Sequence, residues 1–302
     1  MERVEYDELS FFSENAEEFG LPFDGPPKVR RTSVLLPDGR QLSALVWGED
    51  EPELVLLHGG AQNAHTWDTV AMALDRPLVA IDLPGHGHSD GPRGGPQALT
   101  ENAEDVAAAI RALAPSAQAV VGMSMGGMTS LALSEVAPEL IRQLVLVDIL
   151  PSPDKAMAKR IHDFVDGPET FQSFDEILTR TAAFNPTRTE SSLRRGILHN
   201  AVQLDDGTWQ WRHRRHRRPA GPAASEQAAE RNAALWDTVS ALTMPVMLVR
   251  GMADGSVLTD DQEAELLRRL PTARVDHVEG AGHSVQGDKP VELAALIADF
   301  VG

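Results

Sequence analysis

Residues 117–128 read Ala-Gln-Ala-Val-Val-Gly-Met-Ser-Met-Gly-Gly-Met, an apolar run followed by a serine that stands between glycines. The run that ends at Met123 is typical of a buried strand, and the residues after the serine are typical of a helix. Gly122 and Gly126, two positions before and two after Ser124, let the chain turn sharply and leave the serine hydroxyl exposed at the carboxyl end of the strand. The stretch therefore predicts a strand-to-helix turn of the G-x-S-x-G type, with Ser124 as a nucleophile.

On both sides of this turn, short apolar runs alternate with amphipathic stretches. This rhythm predicts an α/β fold, with a mostly parallel sheet of eight strands flanked by helices. Asp38-Gly39 separates the first two strands and favours a hairpin turn, so we expect the sheet to open antiparallel. The predicted strands are 30–36, 41–47, 53–58, 78–82, 117–123, 143–148, 246–250 and 274–279, and the predicted helices are 66–74, 100–113, 125–136, 260–270 and 290–300.

The alternation stops between Asp148 and Val246. An unstructured loop of this length would be unusual in a compact domain, so we interpret the stretch as an inserted, mainly helical cap. The acidic segment 1–27 is either a short helix packed on the cap or a frayed arm, and we favour packing. The predicted organisation is therefore a first core part at 1–148, a helical cap at 149–235 and a second core part at 236–302.

Composition excludes several functional classes. The 302 residues carry a formal charge of −18, which repels nucleic acid over most of the surface. Cysteine is absent, so disulfides, a thiolate nucleophile and Cys-ligated metals are excluded. The acidic start is unlike a signal peptide, and no apolar run is long enough to span a membrane. We therefore expect a cytoplasmic protein that binds a small-molecule substrate, without nucleic acid or membrane partners, as a monomer or a homodimer.

Four motifs, taken together and in their order along the chain, resemble the α/β-hydrolase superfamily, and within it the serine-nucleophile, cap-containing branch of esterases and lactonases. The resemblance covers nearly everything outside the cap. The motifs are Leu57-His58-Gly59-Gly60, Asp82-Leu83-Pro84-Gly85-His86-Gly87-His88-Ser89, the turn at Ser124, and Gly280-Ala281-Gly282-His283.

This resemblance implies a Ser-His-Asp triad. Serine is a weak nucleophile at neutral pH, so it requires a base, and the base requires an acid that fixes its tautomer. His283 occupies the family's base position after the last predicted strand. Asp254, in Arg250-Gly251-Met252-Ala253-Asp254, matches the usual acid position, and Asp148 at the end of the preceding strand is the reserve. The backbone N–H groups of Gly60 and Met125 match the two oxyanion-hole positions.

The reaction implied is cofactor-independent hydrolysis of a small or medium apolar carboxylic ester or lactone through an acyl-enzyme. Carbon–carbon bond hydrolysis of a vinylogous diketone, a cofactorless haloperoxidase-like or dioxygenase-like activity, and a non-enzymatic small-molecule receptor are the alternatives. No metal site and no cofactor are predicted. The role of the basic run Arg212-His213-Arg214-Arg215-His216-Arg217-Arg218 stays open between a rim that attracts anionic substrates and a solvated surface.

Overall fold

Eight strands form a single sheet in the computed structural model, which describes residues 4–92, 98–213 and 222–302. The spatial order is β1-β2-β4-β3-β5-β6-β10-β11. The pairs β1–β2 and β2–β4 are antiparallel and the other five pairs are parallel, so the predicted eight-stranded, mostly parallel sheet is confirmed. The strands are β1 (Val29–Leu35), β2 (Gln41–Trp47), β3 (Leu54–Leu57), β4 (Leu78–Ile81), β5 (Ala119–Met123), β6 (Leu144–Val147), β7 (Thr170–Phe171), β8 (Ala201–Gln203), β9 (Trp209–Trp211), β10 (Val246–Gly251) and β11 (Arg274–Val278).

The turn at Asp38-Gly39 joins β1 to β2 as a hairpin, as predicted. Gly39 has φ 83°, a backbone conformation that favours glycine. The Leu36 N–H donates to the Arg40 carbonyl at 2.8 Å and closes the turn. The antiparallel opening of the sheet therefore follows from local turn chemistry.

Helices cover both faces of the sheet and bury an apolar cluster on each. Side chains of α3, α4, α8 and α9 pack in one cluster, whereas those of α1, α2 and α11 pack in the other. The central strands β3 to β6 are buried on both faces, which explains their continuous apolar runs. The helices are α1 (Phe12–Phe19), α2 (Asp68–Leu74), α3 (Leu99–Leu113), α4 (Met125–Val136), α5 (Lys155–Val165), α6 (Phe174–Phe184), α7 (Glu190–Asn200), α8 (Pro222–Ala241), α9 (Asp260–Arg269), α10 (Val285–Asp288) and α11 (Pro290–Val301).

The connecting segment, which we define as residues 149–245 between β6 and β10, carries helices α5 to α8. It also contains a three-stranded antiparallel sheet in the order β7-β9-β8, which the sequence analysis did not predict. Phe171, Ile177 and Trp209 are buried in a small cluster of its own. The predicted boundary at residue 235 falls inside α8, whose last turns already pack on the main core.

The N-terminal segment packs against both the core and the connecting segment. Phe12 of α1 lies edge-on to Trp47, with ring centroids 5.2 Å apart. Glu18 forms an ion pair with Arg195 of α7, and the Val4 N–H donates to the Gln203 side chain at 2.9 Å. Among the described helices, none is both long and apolar enough to cross a membrane.

Candidate active site

Ser124 stands in the sharp turn between β5 and α4. Its φ of 50° and ψ of −114° lie outside the regions that residues with a side chain usually adopt. The neighbouring chain segments enforce this turn, because a Cβ on Gly126 would lie 2.2 Å from the Leu57 carbonyl oxygen. The predicted strand-to-helix turn is therefore present, with Ser124 partly exposed at the carboxyl edge of the sheet.

His283 lies in the loop between β11 and α10, at the same edge of the sheet. Its Nδ1 is 2.9 Å from Oδ2 of Asp148, the residue that follows β6. Met123 pairs with Val147 in the parallel register, so Ser124 and Asp148 leave adjacent strands side by side. Parallel pairing thus brings residues from three distant parts of the sequence to one edge.

The Asp148 carboxylate is fully buried and satisfied by four donors. Oδ1 accepts hydrogen bonds from the Gly251 N–H at 3.0 Å and from the Ser256 hydroxyl at 2.6 Å. Oδ2 accepts from the Val257 N–H at 3.1 Å and is the oxygen that contacts His283. These contacts fix the orientation of the carboxylate and keep Oδ2 on the side of His283.

The structure corrects the preference for Asp254 as the partner of His283. Asp254 is exposed and lines an open cavity of about 380 Å³, and its side chain makes no hydrogen bond or ion pair with any described residue. The physical reason is the course of the loop after β10, which turns its backbone and Ser256 toward Asp148 and leaves Asp254 on the outside. The reserve residue, Asp148, occupies the position that had been predicted for Asp254.

Gly60 and Met125 have the geometry of available donors. Met125 is the first residue of α4, where backbone N–H groups have no acceptor within the helix. In the part of the chain that the structure describes, neither N–H group donates a hydrogen bond. Among the same residues, no hydrogen bond joins Ser124 Oγ to His283. Gly59 lies so close that a Cβ there would approach the Ser124 Cβ to 3.3 Å. The loop after β3 therefore borders the serine, as the oxyanion prediction requires.

Two residues that the sequence analysis missed hold the loop of His283. Asp288 accepts from the Gly282 N–H at 2.9 Å and pairs with Arg188 at 3.0 Å. Arg188 belongs to the connecting segment and also donates to the Ser284 carbonyl at 3.4 Å. The spacing of Asp288, five residues after the histidine, is the only signal that sequence reasoning could have used.

Of the nearby loop histidines, His58 has a clear structural role. It is fully buried; its Nε2 accepts the Leu83 N–H at 2.9 Å, and its Nδ1 lies 2.7 Å from the Gly59 carbonyl. Burial lowers the pKa of His58 to about 3, and the neighbouring His86 acts in the same direction. His58 is therefore neutral and supports the loop, in agreement with its omission from the predicted catalytic set.

The basic run predicted to be a rim or a surface is described only at its first two residues. Arg212 lies over the Tyr6 ring, with its guanidinium carbon 5.5 Å from the ring centroid, and residues 214–218 lie outside the described residues.

Comparison with known proteins identifies the family. The model of the alpha/beta hydrolase family matches residues 54–296. The chain is 43% identical to the esterase Rv0045c of Mycobacterium tuberculosis over 96% of this chain and 94% of that protein. A crystal structure of Rv0045c has a TM-score of 0.82 at 42% identity, covering 99% of each chain. A second structure of it, described together with its inhibition by transition metals, also has a TM-score of 0.82.

Two more distant relatives are a lipase and an oligomer hydrolase. The chain is 28% identical to the sn-1-specific diacylglycerol lipase ABHD11 of Xenopus laevis, over 83% of this chain and 80% of that protein. It is also 28% identical to the 3-hydroxybutyrate-oligomer hydrolase of Cupriavidus necator, over 91% of this chain and 98% of that protein.

Proposed function

This chain belongs to the α/β-hydrolase family and is a hydrolase, and from that premise we propose that it is a serine esterase with Ser124 as nucleophile, His283 as base and Asp148 as acid. The observation that carries the proposal is the buried hydrogen bond between His283 Nδ1 and Asp148, at the sheet edge where Ser124 stands in a strained turn. That bond places the proton on Nδ1 and leaves Nε2 free to take a proton from a hydroxyl.

The proposed reaction has two halves. Ser124 Oγ attacks the ester carbonyl while His283 Nε2 takes its proton, and the Gly60 and Met125 N–H groups stabilise the negative oxygen of the tetrahedral intermediate. His283 then gives the proton to the leaving alcohol, and the acyl group stays on Ser124. Water, deprotonated by the same imidazole, attacks the acyl-enzyme, and the imidazolium returns the proton to Ser124 Oγ as the acid leaves. In both halves the buried Asp148 carboxylate stabilises the imidazolium.

We propose small or medium apolar carboxylic esters or lactones as substrates. Met125 and Met128, on the first turn of α4 next to the nucleophile, are partly buried and offer an adaptable apolar surface for an acyl chain. The esterase relative at 43% identity supports ester hydrolysis. We also propose that the connecting segment covers this site as a cap.

A fluorophosphonate probe tests the nucleophile. We expect the folded chain to carry one adduct, located at Ser124 by mass spectrometry, and Ser124→Ala to carry none. Turnover of p-nitrophenyl esters, lactones and diketones by the wild-type chain, with Ser124→Ala as the blank, then identifies the substrate class. An adduct at another serine, or hydrolysis that persists in Ser124→Ala, would overturn the proposal.

Inhibition by transition metals, described for the mycobacterial esterase, is a further property that we propose for this chain. We expect Zn²⁺ to lower the rate of ester hydrolysis and a chelator to restore it. A rate that is the same with Zn²⁺ and with chelator would contradict this proposal and leave the esterase mechanism unaffected.

A further inference from the structure

Outside the proposed triad, His65, Asp68 and His199 form a buried cluster of metal-binding side chains. One ligand atom from each lies within 4.8 Å of the other two. His65 Nδ1 is 2.8 Å from Asp68 Oδ2, and His199 Nε2 is 4.0 Å from the same oxygen. The two imidazole rings stack with centroids 3.9 Å apart and an angle of 13° between their planes.

The Asp68 carboxylate lacks the partners that its burial requires. The side chain is 4% exposed, and its Oδ1 is buried without a hydrogen-bond partner. Throughout residues 4–92, 98–213 and 222–302, no lysine or arginine pairs with it. A buried carboxylate is costly unless a cation or a full set of donors satisfies it. The unpartnered Oδ1 therefore leaves Asp68 able to accept a further donor or cation besides His65.

In both histidines, the ring nitrogen that does not face Asp68 also has a polar partner, as it does in the histidine ligands of known metal sites. His65 Nε2 lies 3.1 Å from the Glu8 carboxylate and 3.2 Å from the Arg31 guanidinium that pairs with that carboxylate. His199 Nδ1 lies 2.8 Å from the Tyr6 hydroxyl. Metal-bound histidines almost always use the ring nitrogen that does not bind the metal in this way, which fixes the ring and its tautomer. Here the contacts orient His65 Nδ1 and His199 Nε2 toward Asp68.

We propose that His65 Nδ1, His199 Nε2 and the Asp68 carboxylate bind one divalent first-row transition metal, with Zn²⁺ as the natural candidate. With bonds of about 2.1 Å, ligand atoms around a tetrahedral ion lie about 3.4 Å apart. The 2.8 Å contact must lengthen and the 4.0 Å contact must shorten by about 0.6 Å each, and the stacked rings must tilt so that both nitrogen lone pairs meet at the ion. Two imidazoles disfavour Mg²⁺ and Ca²⁺, which take oxygen ligands.

An ion at this place would join three parts of the chain. Asp68 begins α2 and His65 lies in the turn before it, in the core. His199 lies in the last turn of α7 in the connecting segment, and Tyr6 and Glu8 belong to the N-terminal segment. The sequence analysis predicted no metal site, because the third ligand lies far along the chain and no compact ligand motif marks it. The site goes beyond the proposed esterase function, and its binding can be measured without catalysis.

The test is a titration of the metal-free full-length chain with Zn²⁺ by calorimetry and with Co²⁺ by visible absorption. We expect one ion per chain and the absorption bands of four-coordinate Co²⁺ with nitrogen ligands. His199→Gln and Asp68→Asn should each abolish stoichiometric binding. His283→Gln and His277→Gln are matched controls, because both remove a histidine that contacts a carboxylate elsewhere, and both should bind as the wild type does.

Tyr6→Phe guards against a variant that fails to fold, since it removes one hydroxyl and no ligand. We expect it to weaken Zn²⁺ binding about 10- to 100-fold, as loss of an outer partner does in known sites. Absence of a stoichiometric ion in the wild-type chain would overturn the proposal, and so would binding that disappears in His283→Gln while persisting in His199→Gln. Either result is independent of whether the chain hydrolyses esters.

Discussion

Replacing Asp148 by asparagine tests the proposed acid, because each carboxylate oxygen already accepts two hydrogen bonds. If the amide NH₂ group replaces Oδ1, it faces the Gly251 N–H, and if it replaces Oδ2, it faces the Val257 N–H. One backbone donor is left unpaired in either orientation, which costs ~1–3 kcal/mol. We therefore expect Asp148→Asn to lower the free energy of unfolding by about that amount while the fold persists.

The effect on catalysis should be larger. In the first orientation the amide oxygen still accepts from His283 Nδ1, but the negative charge beside the imidazolium is lost. A hydrogen bond to a charged group exceeds one to a neutral group by ~1–2 kcal/mol, which is about tenfold in rate. In the second orientation the histidine takes the wrong tautomer, and the corresponding change in a serine protease lowers kcat by ~10⁴. We expect kcat to fall at least ~10²-fold, between these two limits.

Asp254→Asn is the matched control, since Asp254 is exposed and its side chain contacts no described donor. Surface substitutions of this kind change free energies by less than about 0.5 kcal/mol, so kcat should stay within about twofold of the wild type. The assay is steady-state hydrolysis of a p-nitrophenyl ester by each variant, with urea unfolding to confirm the fold. A larger loss of kcat in Asp254→Asn than in Asp148→Asn would refute the assignment of Asp148.

Three further predictions concern the surroundings of the site. His58→Gln removes a buried imidazole whose pKa is lowered to about 3, whereas the histidine of the unfolded chain takes up a proton below about pH 6.5. In urea unfolding, the free energy of unfolding of the wild type should therefore fall by about 2 kcal/mol relative to the variant between pH 6.5 and 4.5. Free energies of the two that change in parallel with pH would contradict this. Asp288→Ala frees the Gly282 N–H and should lower kcat about tenfold with KM little changed, whereas an equal rise in KM would indicate a role in substrate binding. Gly126→Ala places a Cβ 2.2 Å from the Leu57 carbonyl oxygen and should cost about 3 kcal/mol of stability, so wild-type thermal stability would contradict the packing account.

The core of the fold could be predicted from the sequence because periodicity and turn chemistry agree there. The predicted strand at 41–47 and helix at 125–136 coincide with the observed β2 and α4, and the other predicted core elements differ only at their ends. The short helix α10 was not predicted. These segments are either buried on both faces or bounded by Gly and Asp, so local signals determine them. The small sheet of the connecting segment was missed because its strands have three residues or fewer and carry no alternation long enough to recognise.

The positions of Ser124 and His283 at the sheet edge followed from motifs, whereas the partner of His283 did not. Asp148 ends one predicted strand and Asp254 follows another, so position along the chain could not separate them. The decisive fact is three-dimensional, because backbone donors of the loop after β10 surround Asp148 and point away from Asp254. Asp148 does carry one unusual backbone feature, a φ of 46° directly after β6, but this value is not visible in a sequence.

The loop after β10 therefore supplies hydrogen-bond donors to Asp148, whereas the sequence predicts that it supplies Asp254 as the acceptor for His283. Gly251, Ser256 and Val257 fix the Asp148 carboxylate, so a change in this loop would act on His283 through the orientation of that carboxylate. On its other side the same loop lines the cavity of about 380 Å³ together with Met157 of α5. The connecting segment therefore borders the loop that holds Asp148. Arg188 of the same segment pairs with Asp288, which holds the His283 loop, so the connecting segment lies next to the supports of both partners in the His283–Asp148 pair.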